Sequence, residues 1–285
     1  MTNKITLSPS HIPTIMGDNA ERKADLFLIK TGLMLRPKPT EAMLWGRKLE
    51  PLVLEHIKET HPEHREFSPI DREDWNNQYR IKHPEHDWFY GFSDDIVKTG
   101  EQFKTILTIV EVKTTARYIG LSADNIPDAW RLQCQAMLAM VPDAAPAVPP
   151  ANCLLSCLSA GNRYSEIIID PDPDCQQAIV EAAAAFRQAI ANNDMGQFKL
   201  TSRQLNYAHR ATPDKTVKTT IDIDTTIDDY KKLNNKIKDH NEHKEMLART
   251  IKTHMQDAEV LLSETGDTLA TWKSYRSGTR TLKIK

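Results

Sequence analysis

The sequence predicts an α/β fold with a separate C-terminal extension, on three observations. Residues 90–114, YGFSDDIVKTGEQFKTILTIVEVKT, read as two strands joined by a polar turn at Lys98-Thr99-Gly100-Glu101. Segments of helical periodicity flank this hairpin on both sides. The character of the chain then changes near Ile227, after a polar, threonine-dotted stretch. The expected organisation is a main domain over residues 1–200, a linker over 201–226 and a helix-plus-hairpin extension over 227–285.

Composition narrows the function classes. With 285 residues, 40% hydrophobic and 27% charged, the chain has ordinary globular values and can bury a full core. A net charge of −2 means that any nucleic-acid surface must come from local clustering. No apolar run approaches the roughly 18 residues of a membrane span. The opening MTNKITLSPS lacks an apolar signal core, so a cytoplasmic protein is expected. The cysteines, Cys134, Cys153, Cys157 and Cys175, form no CxxC pair and match no zinc spacing; they are read as free thiols. His-Pro-Glu-His occurs twice, at 61–64 and 83–86. The proline in each copy argues for a polar loop rather than a ligand-bearing helix, so neither is read as a zinc site.

The elements follow in order. Residues 7–35 read as two helices, with Ser8 and Ser10 as N-cap candidates, Gly17-Asp18-Asn19 ending the first and Thr31-Gly32 the second. A serine at a helix start is also placed to meet a phosphate, because exposed amides and the helix dipole both favour anions. A third helix begins after Pro39-Thr40, with an apolar face of Leu49, Leu52, Val53 and Ile57. Pro51 inside it disfavours regular geometry at Glu50 and gives that acid an aim unlike its neighbours'. A short strand is expected at 78–82. A helix starts at Pro127-Asp128 and carries Gln133 and Met137 on one stripe.

Residues 141–151 are a proline-rich connection, followed by strands at 153–158 and 164–169 around an Ala160-Gly161-Asn162 turn. Asp170 to Asp174 cap a helix over 176–191. In the extension, Tyr230, Leu233, Ile237, Leu247, Ile251 and Met255 mark a helix with a heptad-like stripe. A hairpin follows, turning at residues 263–267, and from Thr268 onward there are five cations and no acid. That basic tail reads either as a phosphate-facing patch or as a solvated end.

The chemistry gathers at the central hairpin. Alternation puts Glu111 and Lys113 on one face of the second strand, with Val112 on the other. Asp94 and Asp95 open the neighbouring strand. Such an oxygen cluster suits a hard divalent cation, and a lysine two residues on can orient water or neutralise charge on a phosphate. The plain alternative is a hairpin whose acids and lysine pair on a solvated face.

Taken together, the Ser10 cap, WGRKLE at 45–50, Gly91-x-x-Asp94, Glu111-Val112-Lys113 and P-x-x-W-x-x-Q-x-Q at 127–135 resemble one family. It is the lambda-exonuclease/YqaJ-type phage recombination nucleases of the PD-(D/E)XK superfamily, matched over residues 10–191. The resemblance implies a restriction-endonuclease-like core, a mixed central sheet flanked by helices. It implies Mg²⁺-dependent hydrolysis, with Mn²⁺ able to substitute and no iron–sulfur cluster. Asp94, Glu111 and the Val112 carbonyl would hold Mg²⁺, and Glu50 would complete a second site. Asp94 fits the usual spacing, with Asp95 beside it as the other candidate.

Lys113 would position or help deprotonate the water, and Gln133 would hold the nucleotide or the lysine. Ser10 and Arg117 would contact DNA phosphate. The implied activity is a 5′-to-3′ exonuclease on double-stranded DNA ends, working with a single-strand annealing protein and assembled as a trimer. A structure-specific endonuclease of the same superfamily and a non-catalytic DNA-binding scaffold are the alternatives.

Overall fold

The computed structural model describes residues 5–66, 79–99, 106–143, 145, 147–209, 211, 213, 215–274 and 279–285. The chain divides into two compact units, Met1–Arg210 and Ala211–Lys285.

The first unit opens with a 3-10 turn, Pro9–His11, that leads into α1 (Ile12–Met16), α2 (Ala20–Lys30) and α3 (Glu41–Thr60). Each start has its local cause. Ser8 caps the turn, the Asn19 side chain accepts the Arg22 N–H, and Thr40 accepts the Met43 N–H. Pro51 lies inside α3 without ending it. Then come β1 (Arg65–Glu66), β2 (Tyr79–Lys82), β3 (Tyr90–Ser93), β4 (Asp95–Thr99), β5 (Ile106–Thr115), α4 (Asp128–Leu138) and β6 (Val141–Pro142). The unit closes with β7 (Asn152–Ser159), β8 (Arg163–Ile169), α5 (Pro173–Ala191), a 3-10 turn at Met195–Gln197, and α6 (Ser202–Ala208).

The main sheet has the order β1-β4-β5-β7-β8. β4 and β5 run antiparallel with Asp95 opposite Val110, while β5 and β7 run parallel with Glu111 opposite Leu155. β8 returns antiparallel to β7. Alternation along β5 separates two cores. Leu107 and Ile109 pack with Ile12, Cys134, Met137 and Phe186, whereas Val110 and Val112 pack with Val53 and Ile57 of α3. Helices thus cover both faces of a mixed central sheet, as the sequence led one to expect.

Two details differ from the sequence expectation. Residues 90–93, expected within the first hairpin strand, pair instead with β2 in a separate sheet of order β3-β2-β6. The strand breaks at Asp94, which steps out of the ladder between β3 and β4. The proline-rich connection also contributes β6, whose Pro142 sits opposite Ile81 at the edge of that sheet, where a missing N–H is tolerated. Of the expected turn, Gly100 and Glu101 lie outside the described residues.

Close backbone approach ties down the N-terminal segment. Leu7 bonds both ways to the strand region, through its N–H to the Trp88 carbonyl and its carbonyl to the Tyr90 N–H. A Cβ on Gly91 would lie 2.6 Å from Pro9 Cδ, so only glycine lets the Ser8-Pro9 segment lie this close. On the far side, Gln135 staples α4 to the start of α5. Its amide donates to the Asp170 carbonyl at 2.8 Å, and its oxygen accepts the Asp172 N–H at 3.0 Å.

The stretch expected to be a linker is structured at both ends. Thr201 and Gln204 form a capping box at the head of α6, and the buried Gln204 amide reaches Asp25 of α2 at 2.7 Å. The second unit begins its helix α7 at Ile221, so Ile227 falls within α7 (Ile221–Met255). Asp222 and Asp224 in the first turn complement the helix dipole there, which outweighs the β-branched threonines. The expected hairpin is present as β9 (Val260–Leu262) and β10 (Thr268–Ser274), and the basic tail adds a third strand, β11 (Arg280–Ile284). Arg280 is a structural cation. Its guanidinium lies 3.7 Å from the Trp272 ring centroid and donates to the Gln256 and Trp272 carbonyls.

Replacing the buried Gln135 by Ala removes both hydrogen bonds of the staple. Urea unfolding is expected to show a loss of roughly 1–3 kcal/mol.

Candidate active site

The group forms where β4 and β5 diverge. Their ladder pairs Asp95 with Val110, and one step further Asp94 leaves the strand. Its carboxylate then takes the place of a ladder carbonyl, accepting the Val112 N–H at 2.7 Å. Asp94 shares the face of Ile96 and Glu111. Asp95 points to the opposite face with Val97 and Val110, and its side chain accepts the Ile96 N–H at 2.8 Å.

Glu111, only 4% exposed, is held by two donors on one oxygen. The Lys113 ammonium donates to Oε1 at 2.5 Å, and the Gln133 amide nitrogen donates to the same atom at 2.7 Å. Lys113 also donates to the Gln133 carbonyl oxygen at 2.8 Å, closing a triangle. Strand alternation supplies the first pair, and the first residue of the α4 Q-x-Q supplies the bridge. The second glutamine, Gln135, turns away to the α5 staple.

Electrostatics set the group apart from an ordinary ion pair. Burial, together with the charges of Glu111 and Glu50, pushes the Asp94 carboxyl well above the usual carboxylate range; the Val112 N–H and Lys113 oppose this only in part. Burial pulls the Lys113 ammonium down, but the Glu111 charge and hydrogen bond, with Asp94, outweigh it and the net direction is upward. Lys113 is therefore a firmly protonated donor. Glu50 reaches the group from α3, across a cavity of about 300 Å³ lined by Met43, Gly46, Glu50, Val112, Lys113 and Thr114. Gly46 allows the contact, since a Cβ there would lie 3.0 Å from Thr114 Oγ1.

The structure thus brings together Asp94, Glu111, Lys113, Gln133, Val112 and, through its charge, Glu50. Three buried or half-buried carboxylates with one lysine between them form an oxygen-rich donor set of the kind that hard divalent cations take. Ser10 and Arg117 lie outside the hydrogen-bonded triangle. Arg117 is exposed in the loop after β5, with its N–H on Thr115 Oγ1. Ser10 is exposed in the N-terminal turn, its hydroxyl 3.0 Å from that of Ser8.

Beside it stands a residue that nothing in the sequence singled out. His11 Nδ1 accepts the Ser8 N–H at 3.0 Å. Burial, with the charges of Lys30 and Arg36, lowers its pKa to about 3. His11 is therefore a neutral acceptor that fixes the serine turn beneath two cations. No motif announces this, because the partners lie 19 and 25 residues downstream in sequence.

Residues 3–143 match the family model of the YqaJ-like viral recombinase domain, a span that includes every residue of the group. The resemblance carried by the motifs is thereby shown. Comparison with curated proteins gives no match. Among solved structures, the chain is similar to the alkaline exonuclease LHK-Exo of Laribacter hongkongensis, at 15% identity with a TM-score of 0.47, over 66% of this chain and 89% of that one. The same enzyme in complex with dAMP gives 15% identity and a TM-score of 0.46, over 67% and 90%. Among the described residues, no helix is long and apolar enough to cross a membrane.

The raised proton affinity of Asp94 links stability to pH. A carboxyl raised in the folded state contributes stability that is fully present below its unfolded pKa, and this is lost as pH rises through the folded value. In chelator at mildly alkaline pH, Asp94→Asn is expected to unfold at a higher temperature than the parent. The gap should close as pH falls into the ordinary carboxylate range, as followed by circular dichroism.

Proposed function

We propose that this YqaJ-like viral recombinase domain is a Mg²⁺-dependent deoxyribonuclease that degrades double-stranded DNA from 5′ ends toward 3′, for phage-type recombination by single-strand annealing. The observation that carries the proposal is the Glu111–Lys113–Gln133 triangle set against Asp94 and Glu50. A structural ion pair needs neither further buried carboxylates nor a glutamine bridging both partners.

Asp94, Glu111 and the Val112 carbonyl are the residues that would hold Mg²⁺, with Glu50 completing a second position; Mn²⁺ suits the same oxygens. When bound, the ion supplies charge neutralisation and Lewis-acid polarisation of the phosphate. The rest falls to the chain. Lys113, firmly protonated, acts as a donor that orients the attacking water and offsets negative charge growing on phosphorus-bound oxygens, rather than as a base. Gln133 fixes the Lys113 rotamer and keeps Glu111 aimed, so that neither has to reorganise during the reaction.

Water adds to phosphorus, the bond to the departing sugar oxygen breaks, the water's proton leaves to solvent, and the sugar oxygen takes a proton from solvent to leave as the alcohol. Ser10, on its fixed turn, and Arg117, in its exposed loop, would hold flanking phosphates. The same family likeness supports a single-strand annealing partner and a trimeric assembly, and the second unit would be the family's C-terminal extension.

The test is digestion of linear duplex DNA labelled at either end, with closed circles alongside. The parent should release 5′ label in Mg²⁺ and leave closed circles intact. Glu111→Ala and Lys113→Ala should each lose roughly 10²–10³-fold or more in rate. Cutting of closed circles would indicate an endonuclease. Duplex binding without cutting in Mg²⁺ or Mn²⁺ would indicate a scaffold.

A further inference from the structure

The two copies of His-Pro-Glu-His have different fates. In the second, His83 Nδ1 is taken by the N–H of Glu85 within the same turn. The first follows directly on the C-terminus of α3 and gathers its side chains instead. One ligand atom from each of His61, Glu63 and His64 lies within 4.8 Å of the others. The two imidazoles stack at 4.6 Å between centroids, as those of the second copy also do. His61 Nδ1 is hydrogen-bonded to Glu63 Oε1 at 3.1 Å, a separation close to that of two ligand atoms on one tetrahedral ion at bond lengths of about 2.0–2.1 Å.

Two further features point to a ligand. The His64 side chain is only 8% exposed, yet Nδ1 has no hydrogen-bond partner and Nε2 stops 3.8 Å from Glu63 Oε1. A buried imidazole nitrogen without a partner is an expensive arrangement unless something else binds there. Behind His61, Nε2 meets Glu166 Oε1 of β8 at 2.7 Å, and Glu166 is bonded in turn by the Tyr164 hydroxyl. A carboxylate on the far nitrogen is the usual device that fixes a metal-binding histidine's tautomer and ring plane.

We propose that His61 through Nδ1, Glu63 through its carboxylate and His64 form a site for a divalent transition-metal ion, with zinc as the expected occupant and water completing the tetrahedron. Two imidazoles and one carboxylate are borderline ligands that favour zinc over magnesium. This site is separate from the carboxylate group around Glu111. His61 caps the C-terminus of α3, 11 residues beyond Glu50, roughly 16 Å at the helical rise. Its role is a clamp. The ion would join the end of α3 to β8 through His61 and Glu166, and so steady the helix that carries Glu50. The site does not depend on the nuclease reading.

The test uses the full-length protein in excess Mg²⁺, so that oxygen-ligand sites are filled, and measures Zn²⁺ uptake by competition with a chromogenic chelator. The parent should take up one equivalent, and Zn²⁺ should raise its unfolding temperature. Glu63→Gln, at a 59%-exposed side chain where folding is not at risk, and His64→Ala should both lose the tight equivalent and the thermal shift. Glu166→Gln should weaken uptake about 10–100-fold. Glu111→Ala should bind as the parent does. No uptake by the parent, uptake unchanged in both Glu63→Gln and His64→Ala, or uptake lost in Glu111→Ala would each overturn the proposal.

Discussion

A single hydrogen bond, from the Val112 N–H to the Asp94 carboxylate, settles how the centre of this molecule is built. It replaces the next rung of the β4–β5 ladder, so the strands part where the chemistry gathers. Because the acceptor is a side chain rather than a carbonyl, a carboxylate is drawn into the sheet's end beside Glu111 and within reach of the Glu50 charge. Like charges at such range repel, and burial deepens the penalty. Lys113 offsets part of it, and Gln133 prevents the lysine from relaxing into a simple pair with Glu111. The rest of the first unit serves this balance. α3 brings Glu50, with Gly46 set close against Thr114, α4 brings Gln133, and Gln135 holds α4 against α5.

Much of this was legible in the chain because it depends on short-range rules. Alternation alone put Glu111 and Lys113 on one face, and helical spacing let Gln133 project from α4. The spacing Gly91-x-x-Asp94-x-Ile96 favoured Asp94, and the ladder pairs Asp95 with Val110 on the face away from Glu111. What stayed hidden depends on long-range partners. Residues 90–93 look like the start of a hairpin strand, and only pairing with β2 assigns them to another sheet. His11 is silent in sequence because burial beside Lys30 and Arg36 gives it its character.

The C-terminal unit shows the same limit from the other side. Counting charges in the tail drew attention to cations, when the alternation in Arg280-Thr281-Leu282-Lys283-Ile284 was the structural signal. Arg280 is held by its own unit, over Trp272 and on backbone carbonyls. The threonine-dotted segment before Ile227 likewise read as linker by propensity, although acids in its first turn start α7 at Ile221. The two His-Pro-Glu-His copies make the point most sharply: in both the histidine rings stack, yet Nδ1 of the first histidine meets a carboxylate in one copy and a backbone N–H in the other.

Asp94, Glu111 and Glu50 are gathered so that a hard divalent cation can join them. Calorimetric titration with Mg²⁺ of the parent, Glu111→Gln and Gln133→Ala tests it most directly. The parent is expected to bind saturably, Gln133→Ala more weakly, and Glu111→Gln not at all. Equal binding by all three, or none by the parent in the presence or absence of duplex DNA, would contradict it.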